Sequence, residues 1–309
     1  MGKAMMALKD VFDRVDDMSS DCTDKFINVK EISFDTLESV TIGDETHSMR
    51  LIAQRSMAYR LQIPFQYLRR CPPEIQALNM NHWIEKEKND ALFFRFKGDD
   101  VRAIFTPKYK PVDNFEVLER LDSLGYDPDT QVQCHLDEEF MGLNIPDGNK
   151  TFSINGDSMT PGIAIANSEV GLSSLSIAAF VLRLVCTNGL ISKTEVSASY
   201  RHVSTKILRE FPRVVDDISY KLGDQRDRLL ISHETRVDDP LSTINSFNQQ
   251  FNIGQEEKEA VEWGMEYEGS NTMFEIINSY TRAAQYPGLK AESSYQLQKV
   301  AGNILALVK

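Results

Sequence analysis

The chain has 309 residues, which suits one large domain or two ordinary ones. An apolar fraction of 41% and a charged fraction of 26% allow a buried core. The formal net charge of −12, from 34 basic and 46 acidic residues, excludes a uniformly basic nucleic-acid coat protein.

Residues 1–48 carry 5 basic and 11 acidic groups and read as an acidic N-terminal segment. Residues 49–61 place Leu51, Ile52, Met57, Ala58 and Leu61 at helical spacing, with Arg50, Arg55 and Arg60 beside them. Pro64 restricts Ile63 and opens a short helix through Leu68. Pro72-Pro73 restarts the chain, and residues 74–88 form a further predicted helix. The period then changes: residues 92–96 and 101–105 are β-type runs around Lys97-Gly98-Asp99-Asp100, the pattern of a hairpin. Residues 114–124 predict a helix capped by Asp113.

Strand patterns recur at 131–136, 139–144, 152–154, 162–167 and 175–185, divided by turns such as Pro146-Asp147-Gly148-Asn149. From about Ser204 the pattern is helical, with breaks near Gly223, Pro240, Gly254 and Pro287-Gly288. The expected class is α+β: a helical N-terminal block, an antiparallel sheet core with hairpins, and a helical C-terminal region. Residues 49–203 are expected to form the α+β core domain and 204–309 the helical region.

Charge is unevenly spread. Residues 49–120 carry net +4 and 183–236 net +3, whereas 1–48, 121–182 and 237–309 carry −6, −8 and −5. Two basic blocks in an acidic chain form one basic face only if folding joins them; mixed charge on solvated helices is the ordinary alternative. No run reaches the roughly 20 uncharged residues of a membrane span, since 176–191, the longest apolar stretch, is broken by Arg183 and by Thr187-Asn188-Gly189. Residues 1–10 show no secretory signal. Cys22, Cys71, Cys134 and Cys186 are scattered without a CxxC pair, as in the reduced cytoplasm.

Several chemistries have no motif here. Neither GxxxxGK[ST] nor GxGxxG occurs, so no nucleotide cofactor is expected. His47, His82, His135, His202 and His233 lack the i, i+4 spacing of a zinc helix, and no GxSxG elbow is present. Asp137-Glu138-Glu139, Asp157 and Glu169 would make a magnesium-dependent nuclease only if they converged. No catalytic or metal-binding residue is assigned.

Three stretches suit nucleic acid. Arg102, Lys108 and Lys110 flank Tyr109 ahead of the Asp113 cap, so the cations suit phosphates and the ring an unpaired base. The ordinary alternative makes Tyr109 a packing residue in a Pro-bounded turn. Arg183 ends an apolar run before Cys186-Thr187-Asn188-Gly189, either paired in the core or aimed at a ligand. Tyr200-Arg201-His202, with Lys206, Arg209 and Arg213 on one helical face, is the third. The candidate contacts are therefore Arg102, Lys108, Tyr109, Lys110, Arg183 and Arg201.

The segment from Arg102-Ala103 through Tyr109 to Asp113-Asn114 resembles a phage- and plasmid-associated family carried under a domain-of-unknown-function label. So do Asn167-Ser168-Glu169-Val170-Gly171, followed by Phe180 to Gly189, and Asn271-Thr272-Met273 to Asn278, Tyr280 and Thr281. Met273 departs from the pattern, which has an aromatic residue there. The resemblance implies a mobile-element or phage setting, and a distant analogy to single-strand annealing proteins of the Red-beta kind. The expected function is single-stranded DNA binding or annealing, with single-stranded nucleic acid as partner, a homo-oligomer as working form and no membrane association. Two other classes stay open: an acidic interaction or inhibitor protein that engages a host DNA-processing protein, and a metal-dependent nuclease.

Overall fold

The computed structural model describes residues 5–154, 156–183, 188–192, 198–200, 213 and 224–308. It is α+β, with one wholly antiparallel sheet, one mixed sheet, and helices at both ends of the chain. Two compact units divide it. One comprises Met1–Arg14, Val112–Ser168 and Ser173–Lys309; the other comprises Val15–Pro111 and Glu169–Leu172.

Strand β1 (Met5–Ala7) and helix α1 (Leu8–Ser19) open the chain. The second unit then lays down β2 (Cys22–Asn28), β3 (Ile32–Phe34), β4 (Ser39–Ile42) and β5 (Glu45–Met49). Helices α2 (Leu51–Arg60), α3 (Phe65–Leu68) and α4 (Pro73–Ile84) follow, and then the hairpin β6 (Ala91–Lys97) and β7 (Asp100–Phe105). The sheet order is β2-β6-β7-β5-β4-β3, with β5 parallel to β7. Leu92, Phe94 and Phe96 alternate onto the core face and pack with Phe34, Met57, Leu68 and Met80. The α4 helix ends four residues earlier than its sequence pattern suggests. Tight turns close over Trp83 and Ile84, whose carbonyls accept from the amides of Lys86 and Glu87.

A bulge decides the chemistry of this sheet. Arg95 lies opposite Ala103 and Phe96 opposite Val101, so Arg102 is the extra residue on β7. Val101 and Ile104, three positions apart, therefore share the core face. Arg102 is left free to join Arg95 on the other.

The first unit continues with α5 (Asn114–Ser123), whose capping box joins Asp113 and Glu116. Next come β8 (Gln131–Leu136), β9 (Met141–Pro146), β10 (Phe152–Ile154), β11 (Asp157–Asn167), β12 (Leu175–Arg183), β13 (Asn188–Ser192) and β14 (Ala198–Tyr200). Their order is β1-β8-β9-β11-β12-β13, with β10 on β11 and β14 on β12. β9 begins two residues later than its pattern, because Asp137 accepts from the amides of Glu139 and Phe140 and holds a turn. Helices α6 (Asp224–Glu234), α7 (Pro240–Gln250), α8 (Gln255–Glu268), α9 (Met273–Ala283) and α10 (Ala291–Leu307) complete the unit. α9 and α10 bury Ile277, Tyr280, Leu297 and Ile304 with Met159, Val181 and Leu190 of the sheet. Gly264 lets α8 and α9 touch, since a methyl there would overlap the Ser279 carbonyl.

Candidate functional site

A cleft of about 1170 Å³ opens in the second unit. Ile52, Arg55 and Tyr59 come from α2, where spacings of three and four put them on one face. Trp83 comes from α4, Lys86, Glu87 and Lys88 from the turns after it, Ile104 and Phe105 from β7, and Val170-Gly171-Leu172 from the separate segment. The lining is largely apolar, and its charged residues are mostly cations: Arg55, Arg60, Lys86 and Lys88 against a single carboxylate, Glu87.

Two rings stand open at this cleft. Tyr59 is 87% exposed and Trp83 44% exposed, so each ring keeps apolar area that a ligand can cover. The Lys86 ammonium lies 4.4 Å from the Trp83 ring centroid and 2.7 Å from His82 Nε2. Arg60 pairs with Glu87 at 3.6 Å. Burial works to raise the Glu87 carboxyl. Hydrogen bonds from the Asn89 backbone and side chain, with the charge of Arg60, outweigh it and hold the group below its ordinary range. Glu87 is thus ionised at neutral pH, and the lining keeps a net positive charge.

A buried polar network lies on the second face of the sheet. Arg102 donates from Nη2 to Glu169 Oε2 at 2.5 Å and from Nη1 to Cys22 Sγ at 2.9 Å. Arg95 donates from Nε to Asp24 at 2.9 Å and from Nη1 to the Glu169 carbonyl at 3.2 Å. The Tyr109 hydroxyl reaches the same carbonyl at 3.4 Å. Its ring is stacked on Phe105 with centroids 3.8 Å apart and planes 2° from parallel, and is buried.

The predicted site residues therefore separate. Arg102 and Tyr109 are buried and occupied with Glu169 and Phe105, so they hold the fold and are nearly closed to solvent. Arg183 sits between two carboxylates, 2.9 Å from Asp157 and 2.7 Å from Glu268, with its guanidinium 5.3 Å from the Phe274 ring. Lys108 and Lys110 are exposed. Arg201, like His202, Lys206, Arg209, Cys186 and Thr187, lies outside the described residues, while Arg213 is helical and exposed. The carboxylates weighed for magnesium have other partners: Asp157 takes Arg183, Glu169 takes Arg102, Glu139 takes Lys290, and Asp137 caps Ala291. Among the described residues no group of three or more His, Cys, Asp or Glu is placed to hold a metal ion. Among them, too, no helix is long and apolar enough to cross a membrane.

The sequence pattern does not single out Tyr59, Trp83, Lys86 or Lys88. Their signal is an aromatic residue one helical turn from a cation, Arg55 to Tyr59 and Trp83 to Lys86, which ordinary amphipathic helices share.

The family described as a domain of unknown function, DUF932, matches residues 102–228, or 127 of the 309 positions. That span contains Arg102 to Asn114 and Asn167 to Gly189 but not Asn271 to Thr281. No curated protein and no solved structure matches the chain.

Proposed function

We propose that the chain binds single-stranded nucleic acid, DNA in the first place, in the cleft of the second unit. The observation that supports this most is the pair of exposed rings, Tyr59 and Trp83, set among Arg55, Lys86 and Lys88 over an apolar floor. Unpaired bases stack on such rings whatever their sequence, and cations beside them take the phosphates. A base in a duplex cannot enter a recessed cleft without unpairing. Lys108 and Lys110 add exposed cations three and five residues beyond the cleft-lining Phe105. The three lining cations with no ion pair to a carboxylate among the described residues, Arg55, Lys86 and Lys88, predict a salt slope of about −2 for the cleft, at roughly 0.7 per phosphate on a single strand.

An annealing role in a cytoplasmic, mobile-element setting, with a homo-oligomer as the working form, belongs to the same proposal and rests on the resemblance. Annealing would need the cleft to hold phosphates while leaving most bases free to pair. Titration of single- and double-stranded oligonucleotides at two salt concentrations, followed by tryptophan fluorescence, tests the reading. Tighter single-strand binding with that slope supports it; equal or absent binding refutes it.

A second reading has one observation in its favour. Glu256, Glu259, Glu262 and Glu266 are exposed along one face of α8, a surface suited to a basic protein such as a host DNA-processing enzyme. Capture of such an enzyme, abolished by lysine at these four positions, together with no oligonucleotide binding, would favour it.

A further inference from the structure

The segment Glu169–Leu172 belongs to the second unit although the strands on either side of it, β11 and β12, belong to the first. Its last three residues line the cleft, whereas Glu169 and Arg102 do not. Glu169 and Gly171 both anchor it. Glu169 receives Arg102 on its carboxylate, and Arg95 and Tyr109 on its carbonyl. Gly171, at φ +86°, lies flat on Phe105, where an added Cβ would come within 2.8 Å of Cε1.

We infer that Glu169 is a positioning residue for the cleft: clamped by Arg102, it fixes Val170-Gly171-Leu172 as the cleft wall and so sets ligand affinity without touching the ligand. This rests on the cleft being the binding site. Arg102 reaches Glu169 because the β7 bulge turns it to the Arg95 face. The buried pair is thus linked to the cleft by one peptide segment. A wall released from it would lose shape rather than charge.

The test uses the full chain and two probes: an oligothymidylate, and anilinonaphthalene sulfonate, an aromatic anion suited to an apolar cleft with a cationic rim. Trp83→Ala establishes that the dye sits in the cleft. Glu169→Gln is expected to weaken both probes at least five-fold with an unchanged salt slope, because every rim cation remains. The double variant Arg102→Gln/Glu169→Gln should lose no more than Glu169→Gln alone. Gly171→Ala, which leaves the polar clamp intact, should weaken the dye as well. Reduced thermal stability with wild-type dye affinity in Glu169→Gln would overturn the inference. Should that variant not fold, wild-type dye affinity in Gly171→Ala would overturn it. Dye binding without oligonucleotide binding would refute the nucleic-acid reading alone, leaving the clamp to be judged on the dye.

Discussion

Arg102 donates to Glu169 at 2.5 Å across 67 positions of the chain, and both side chains are nearly closed to solvent, at 7% and 12% exposure. A buried pair contributes little compared with apolar residues of equal size, but removing one partner strands a charge, at a cost of about 3–5 kcal/mol. Arg102→Met should therefore destabilise the chain by about that amount. The double variant Arg102→Met/Glu169→Met should recover part of the loss. Urea denaturation of both measures it, and an equal loss in the two would contradict the account.

Arg183 is held by Asp157 and Glu268, whose side chains are 17% and 7% exposed. Burial disfavours its charge, but the Glu268 hydrogen bond and both carboxylates outweigh that and raise its proton affinity further. Arg183→Ala is expected to lower unfolding free energy by about 3 kcal/mol or more, since two carboxylates lose their common partner. The folded fraction should bind oligonucleotides as the wild type does. A normal stability with weakened binding would restore Arg183 as a phosphate contact.

Much of the architecture was legible and much of the site was not, for identifiable reasons. The β6–β7 hairpin and α5 could be read because two short apolar runs of β type, a Gly98 turn between them and the Asp113 cap agree with one another. β2 carries no such signal: Thr23, Asp24, Lys25 and Phe26 are all exposed on an edge strand, so no period of two appears. Composition showed cations around Tyr109, but not that a one-residue bulge would turn Arg102 onto the Arg95 face. Nor could it show that Tyr109 would lie flat on Phe105. The cleft draws on residues 52 to 172, and that convergence is a tertiary fact.

Cleft variants should divide the two contributions to binding. Trp83→Ala is expected to cost about 1–3 kcal/mol of single-strand affinity, the range for one stacked base, with the salt slope preserved. Lys86→Ala should reduce the slope by about 0.7, the share of one phosphate. Identical salt slopes in wild type and Lys86→Ala would remove that side chain from the interface.

Gln62 closes α2 in the left-handed region at φ +58°, a position usually given to glycine. Its amide meets the Tyr59 carbonyl, and that of Ile63 meets Ala58, which together form a Schellman ending. A side chain with a Cβ costs roughly 1 kcal/mol there. Gln62→Gly should raise the urea midpoint accordingly, and a lower midpoint would show that the Gln62 side chain contributes more than its backbone costs.

Glu292 sits in the first turn of α10, where the helix dipole alone would favour its charged form. Burial, followed by the charges of Asp137 and Glu139 and, more weakly, Glu257, reverses that and raises its carboxyl above the ordinary range, with Lys290 opposing. A folded-state pKa above the unfolded value means that the stabilising contribution is complete below the unfolded value, about 4.3. It is lost as pH rises through the raised one. At neutral pH, therefore, the fold works against the charged form of this carboxyl. Glu292→Gln should be more stable than the wild type at pH 7 in low salt, with the difference shrinking toward pH 4. The carboxyl is partly open to solvent, so added salt should shrink the pH 7 difference as well. Urea midpoints of both proteins at the two pH values and two salt concentrations decide it: a variant less stable at pH 7 would mean that the Glu292 charge supports the helix end after all.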